Sequence, residues 1–126
     1  MRWLSCISLS VLLIFTASGF AAVTEKKVQL PNQLGSAVIY GNDSIKNQGT
    51  GVIVIHEWWG FNDYARSRAK MLAELGYTSI AVDMYGTGKV ADHPDNAMAF
   101  MEEAMKDPEK INARFEAAMA LLKAEA

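Results

Sequence analysis

The sequence is short of the residues that most often carry chemistry. It has one cysteine, Cys6, and two histidines, His56 and His93. Cys6 falls inside an N-terminal segment that reads as a secretory leader over residues 1–21. Arg2 supplies the positive start, Ile7 to Phe15 an apolar run broken by Ser8 and Ser10, and Gly19-Phe20-Ala21 the small residues of a cleavage site. Cleavage after Ala21 would leave no thiol, which excludes a disulfide, a thiolate metal site and a cysteine nucleophile within the mature chain. The apolar run is shorter than the roughly 20 residues of a membrane span. A secreted or periplasmic protein is expected, with no membrane association beyond the leader.

Other absences narrow the function further. Twelve basic and 14 acidic side chains are scattered without a run of one sign, so neither nucleic acid nor an anionic membrane surface is an expected partner. His56-Glu57 begins like the zinc motif H-E-x-x-H, but Gly60 stands where the second histidine belongs. Two histidines without cysteine make a poor zinc set, and no metal or cofactor is expected. Gly86-Thr87-Gly88-Lys89 resembles the end of a phosphate loop, but Asp83 replaces its first glycine and Val90 its Ser or Thr. No serine of the mature chain (Ser36, Ser44, Ser67, Ser79) lies in G-x-S-x-G.

What is present is an α/β pattern. Lys26–Leu30 and Ala37–Tyr40 read as two short strands around a turn, followed by polar loops at 41–43 and 47–49. Val52–Ile55 is continuously apolar and β-branched, as in a strand buried on both faces of a parallel sheet. Asn62 or Asp63 caps a helix with its apolar stripe at Ala65, Ala69 and Leu72, and Gly76 ends it. Thr78–Val82 is the next strand. Pro94, with Asp92 or His93 as cap, opens a second helix, and Asp107-Pro108 opens a third. Ile111, Phe115, Ala118 and Leu122 give that third helix a core-facing stripe, and most methionines are expected in the core. The chain stops near the end of this helix, where an α/β fold calls for another strand, so a truncated product or fragment is expected.

The order G-V-I-V-I-H-E-W-W-G-F-N-D-Y (51–64), L-A-E-L-G-Y (72–77) and A-V-D-M-Y-G-T-G-K (81–89) resembles the N-terminal half of the dienelactone hydrolase family, over residues 26–126. The resemblance implies an incomplete α/β-hydrolase fold: an edge hairpin, a parallel strand–helix–strand unit and two helices. Residues 22–126 would then be the N-terminal part of one such domain. It also implies hydrolysis of a small-molecule carboxylic ester or lactone by a Cys or Ser nucleophile expected beyond residue 126, so that this chain alone is inactive. Glu57 would orient the nucleophile, and the Trp58 amide would line the oxyanion hole. Trp59, Tyr85 and Lys89 are the candidate substrate-pocket residues. Family members carry an arginine just after D-x-Y; Gly86 and Thr87 stand there, with Lys89 slightly beyond, a departure from the dienelactone-type pocket. The plainer alternatives are a loop carboxylate at Glu57, a backbone-bonded imidazole at His56 and a solvated cation at Lys89. For the whole chain the alternative is a non-catalytic, truncated hydrolase-like domain that binds a small ligand or partner.

Overall fold

A computed structural model describes residues 22–45 and 49–125; the expected leader and part of the 47–49 loop lie outside them. Eight-residue strands β1 (Val23–Leu30) and β2 (Gly35–Asn42) form an antiparallel hairpin, register Val23 with Asn42 to Leu30 with Gly35. A single 3-10 turn, Pro31–Gln33, joins them. Strand β3 (Gly51–Ile55) leads into helix α1 (Asp63–Glu74) and then β4 (Thr78–Val82). The sheet order is β1-β2-β4-β3, with β4 antiparallel to β2 and parallel to β3. Helices α2 (Pro94–Met105) and α3 (Pro108–Glu125) complete the described chain. This is a mixed α/β sheet with helices, as expected.

Strand alternation divides the core into two layers. Ala37, Ile39, Ile80 and Val82 point to α3 and pack with Ala118 and Leu122. Val38, Tyr40 and Ala81 point the other way, onto Ala65, Ala69 and Ala73 of α1. Alanine at those helix positions lets α1 lie close enough for the Ser79 hydroxyl to donate to the Ala69 carbonyl at 2.6 Å. Burying Ile80 and Val82 completely stabilises the fold by about 1.5–3 kcal/mol each. The cap of α1 is Asn62, whose side chain accepts from the Ala65 N–H; that of α2 is His93, through Asp95.

Three expectations are corrected. Strand β3 is half-buried rather than enclosed, with Ile55 47% exposed, because it is the edge of the described sheet. The buried stripe of α3 is Arg114, Ala118 and Leu122, and Phe115 is 40% exposed. One residue of rotation moves the face, since a buried guanidinium occupies the place the apolar pattern assigned elsewhere. Met71, Met98, Met101 and Met105 are also exposed, because nothing among the described residues covers those helix faces.

Candidate active site

The parallel register sets Ile55 beside Val82, so the next residues, His56 and Asp83, leave the sheet side by side. Both side chains are almost fully buried. His56 Nδ1 lies 2.6 Å from the Glu57 carbonyl and Nε2 accepts from the Met84 N–H at 3.0 Å. That arrangement requires the neutral tautomer protonated on Nδ1. Asp83 Oδ1 is 3.8 Å from Nε2, beyond hydrogen-bond reach. The plainer reading of His56, a backbone-bonded imidazole, is the one its geometry fits.

Asp83 organises the turn after β4. Its Oδ1 accepts from the amides of Tyr85 (3.1 Å) and Gly86 (3.0 Å), and its Oδ2 from Gly88 (2.8 Å). Burial alone would raise this carboxyl. The Gly88 and Gly86 amides outweigh burial and hold it below the usual carboxylate range. Gly86 sits at φ +72, where a Cβ would come within 2.2 Å of Arg114 Nη2. Arg114 locks the turn from behind, donating through Nε to the Leu34 carbonyl (2.7 Å) and through Nη1 to that of Met84 (3.0 Å).

The loop after β3 is held by its carbonyls. The Tyr85 hydroxyl donates to the Trp58 carbonyl at 2.7 Å, and its ring stands edge-on to His56, centroids 4.7 Å apart. Burial raises the Tyr85 phenol, which keeps it a neutral donor. The Ala91 N–H donates to the Trp59 carbonyl at 2.8 Å, and Gly60 bridges Val90. Gly60 adopts φ +95, and a Cβ there would lie 2.2 Å from the Lys89 carbonyl oxygen. Two groups are left over. Among the described residues the Trp58 N–H has no acceptor, and the exposed Glu57 carboxylate has no hydrogen bond or ion pair.

These groups border an open, mainly apolar cavity of about 230 Å³. Its lining includes Ile55, His56, Glu57, Trp58, Met84, Tyr85, Met101 and Met105. The structure therefore brings Glu57, Trp58 and Tyr85 together. Trp59 stacks edge-on against Trp58 at 5.3 Å and does not line this cavity. Lys89 lies over the Phe100 ring, 5.2 Å from its centroid, and lines a neighbouring cavity instead. Sequence reasoning missed Arg114. Its only signal was a basic residue four before Ala118 in a helix, which reads as a solvated face. No group of three or more His, Cys, Asp or Glu able to hold a metal occurs among the described residues, nor any helix long and apolar enough to cross a membrane.

A model of the dienelactone hydrolase family matches residues 36–126. The chain is 38% identical over 79 residues to Protein usf of Aquifex pyrophilus, covering 60% of this chain and 34% of that protein. A candidate carboxymethylenebutenolidase of Aquifex aeolicus (strain VF5) is 33% identical over the same length, with the same coverage of each chain. Among solved structures, a dienelactone hydrolase-like promiscuous phosphotriesterase from metagenomic libraries superimposes with a TM-score of 0.68 at 28% identity. That match covers 82% of this chain and 44% of the other. The chain spans about a third of the length of these curated relatives.

Proposed function

The chain belongs to the dienelactone hydrolase family, and on that premise we propose that it forms the oxyanion-hole side of a carboxylic ester or lactone hydrolase. The observation that carries this reading is the unengaged Trp58 N–H beside the Glu57 carboxylate, at the rim of an apolar cavity. A backbone amide held in place before the reaction stabilises the oxyanion of a tetrahedral intermediate without reorganising. In an acyl transfer, a Cys or Ser gives its proton to a base and attacks the carbonyl carbon, and the oxyanion forms against the Trp58 amide. The ester or lactone oxygen leaves with that proton; water then attacks the acyl-enzyme, releasing the acid and the nucleophile. The nucleophile, with its base, comes from the part of the relatives that this chain does not span.

Glu57 orients the nucleophile. His56 is not its base, since both ring nitrogens are engaged by the backbone. Tyr85 shapes the substrate side, Trp59 backs Trp58 from outside this cavity, and Lys89 stands one cavity away. Arg2 and the apolar run after it support export to the periplasm or medium. The test is hydrolysis of p-nitrophenyl acetate by the 126-residue chain and by a form extended C-terminally through a nucleophile turn. Turnover in the extended form alone is expected. Equal rates would overturn the division of labour, and no turnover in either would favour a non-catalytic binding domain.

A further inference from the structure

We propose that His56 is a positioning residue: its imidazole aims the Trp58 N–H that the hydrolase reading assigns to the oxyanion hole. The purpose of the aimed amide rests on that reading; its geometry does not. The link is the peptide bond between Glu57 and Trp58. No cis peptide bond occurs among the described residues, and in a trans peptide the C=O and N–H point in opposite directions. Fixing the Glu57 carbonyl therefore fixes the direction of the Trp58 N–H. His56 Nδ1 lies 2.6 Å from that carbonyl oxygen. The N–H across the same peptide is the one left without an acceptor among the described residues.

A ring can aim a peptide only if the ring itself is fixed. His56 Nε2 accepts from the Met84 N–H at 3.0 Å, the Tyr85 ring stands edge-on to it at 4.7 Å, and its side chain is almost fully buried. Met84 belongs to the turn that Asp83 and Arg114 tie down. A continuous series of bonds thus runs from the β4 turn, through the imidazole, to the Glu57–Trp58 peptide. The Tyr85 hydroxyl holds the next carbonyl, that of Trp58, at 2.7 Å, so the peptide planes on both sides of Trp58 are pinned. Neutral imidazole suits this task because it donates from one ring position and accepts at another. An amide side chain carries both polar atoms on one carbon and replaces only one of the two ties.

That difference supplies the test, made by NMR on the 126-residue chain in mildly alkaline buffer. In the parent, the imidazole nitrogen signals should show Nδ1 protonated and Nε2 bare, and the Trp58 amide should have a rigid order parameter of about 0.85. His56→Asn sets an N–H₂ near the place of Nδ1 and keeps the Glu57 tie. His56→Gln reaches the place of Nε2 with its carbonyl and keeps the Met84 tie. The Trp58 order parameter should hold in His56→Asn and fall below about 0.6 in His56→Gln. The Met84 amide should do the reverse in hydrogen exchange, losing protection about tenfold or more in His56→Asn and keeping it in His56→Gln. A merely structural contact would loosen both amides alike in both variants. An Nε2-protonated ring or a disordered Trp58 amide in the parent, or equal Trp58 order in the two variants, would each overturn the proposal. The parent readings need no variant to fold. No turnover is read, so failure of the aiming and failure of the hydrolase reading are separate results.

Discussion

Strands β3 and β4 run in parallel, one residue pair against the next, and each delivers an ionisable residue at its C-terminal end. After β4 the turn is tied down from within and from behind: Asp83 accepts three amides, and Arg114 donates to the Met84 carbonyl. After β3 the carbonyls of Glu57, Trp58 and Trp59 are engaged, but the Trp58 amide and Glu57 carboxylate are not. Glu57 is exposed and Trp58 half-buried beside the open cavity, so neither group is spent on the fold and both are open to solvent or a ligand. The β4 turn is framework, and on the proposed reading the β3 loop is the working surface beside it.

The comparison is broken most severely at Gly60. Gly60→Val forces a left-handed backbone on a β-branched residue and drives its Cβ into the Lys89 carbonyl. A loss of about 4 kcal/mol is expected in urea unfolding, with both loops disordered. Next comes Asp83→Asn, which removes the charge from three charge-assisted hydrogen bonds and turns an N–H₂ toward amides. It should cost about 3 kcal/mol. The same group sets a pH dependence. Its carboxyl titrates lower in the folded chain than unfolded. Its contribution is therefore complete above the ordinary aspartate value, about 3.9, and is lost as pH falls through the folded value. Acid unfolding followed by circular dichroism should shift less with pH in Asp83→Asn than in the parent. The smallest effect is at Tyr85→Phe, about 1 kcal/mol. It sharpens the comparison because it frees the Trp58 carbonyl alone. Amide NMR shifts should change over 57–60 and stay fixed over 86–88.

Much of this contrast was legible in the residues. Val52–Ile55 and Thr78–Val82 read as strands because β-branched runs suit a sheet, and Asn62, Pro94 and Asp107-Pro108 mark helix starts by local chemistry. The family pattern at 51–64 and 81–89 located the rim. What was not legible is long-range. Arg114 reaches carbonyls 80 and 30 residues away, and no local period announces that. The expected stripe failed at Phe115, which is exposed while Ile111 is half-buried, because an arginine can be buried when carbonyls receive it. The methionines of α2 followed the helical period, but periodicity does not say whether a face is covered. The tie from Tyr85 to Trp58 spans 27 positions and depends on the register of two strands.

Amide hydrogen exchange on the 126-residue chain tests the contrast most directly. The Gly88 amide, bonded to Asp83 at 2.8 Å, should be protected about 100-fold or more, an opening free energy of roughly 3 kcal/mol. The Trp58 amide should exchange near its intrinsic rate. Protection of Trp58 equal to that of Gly88 would mean the amide is already engaged, and would contradict the account.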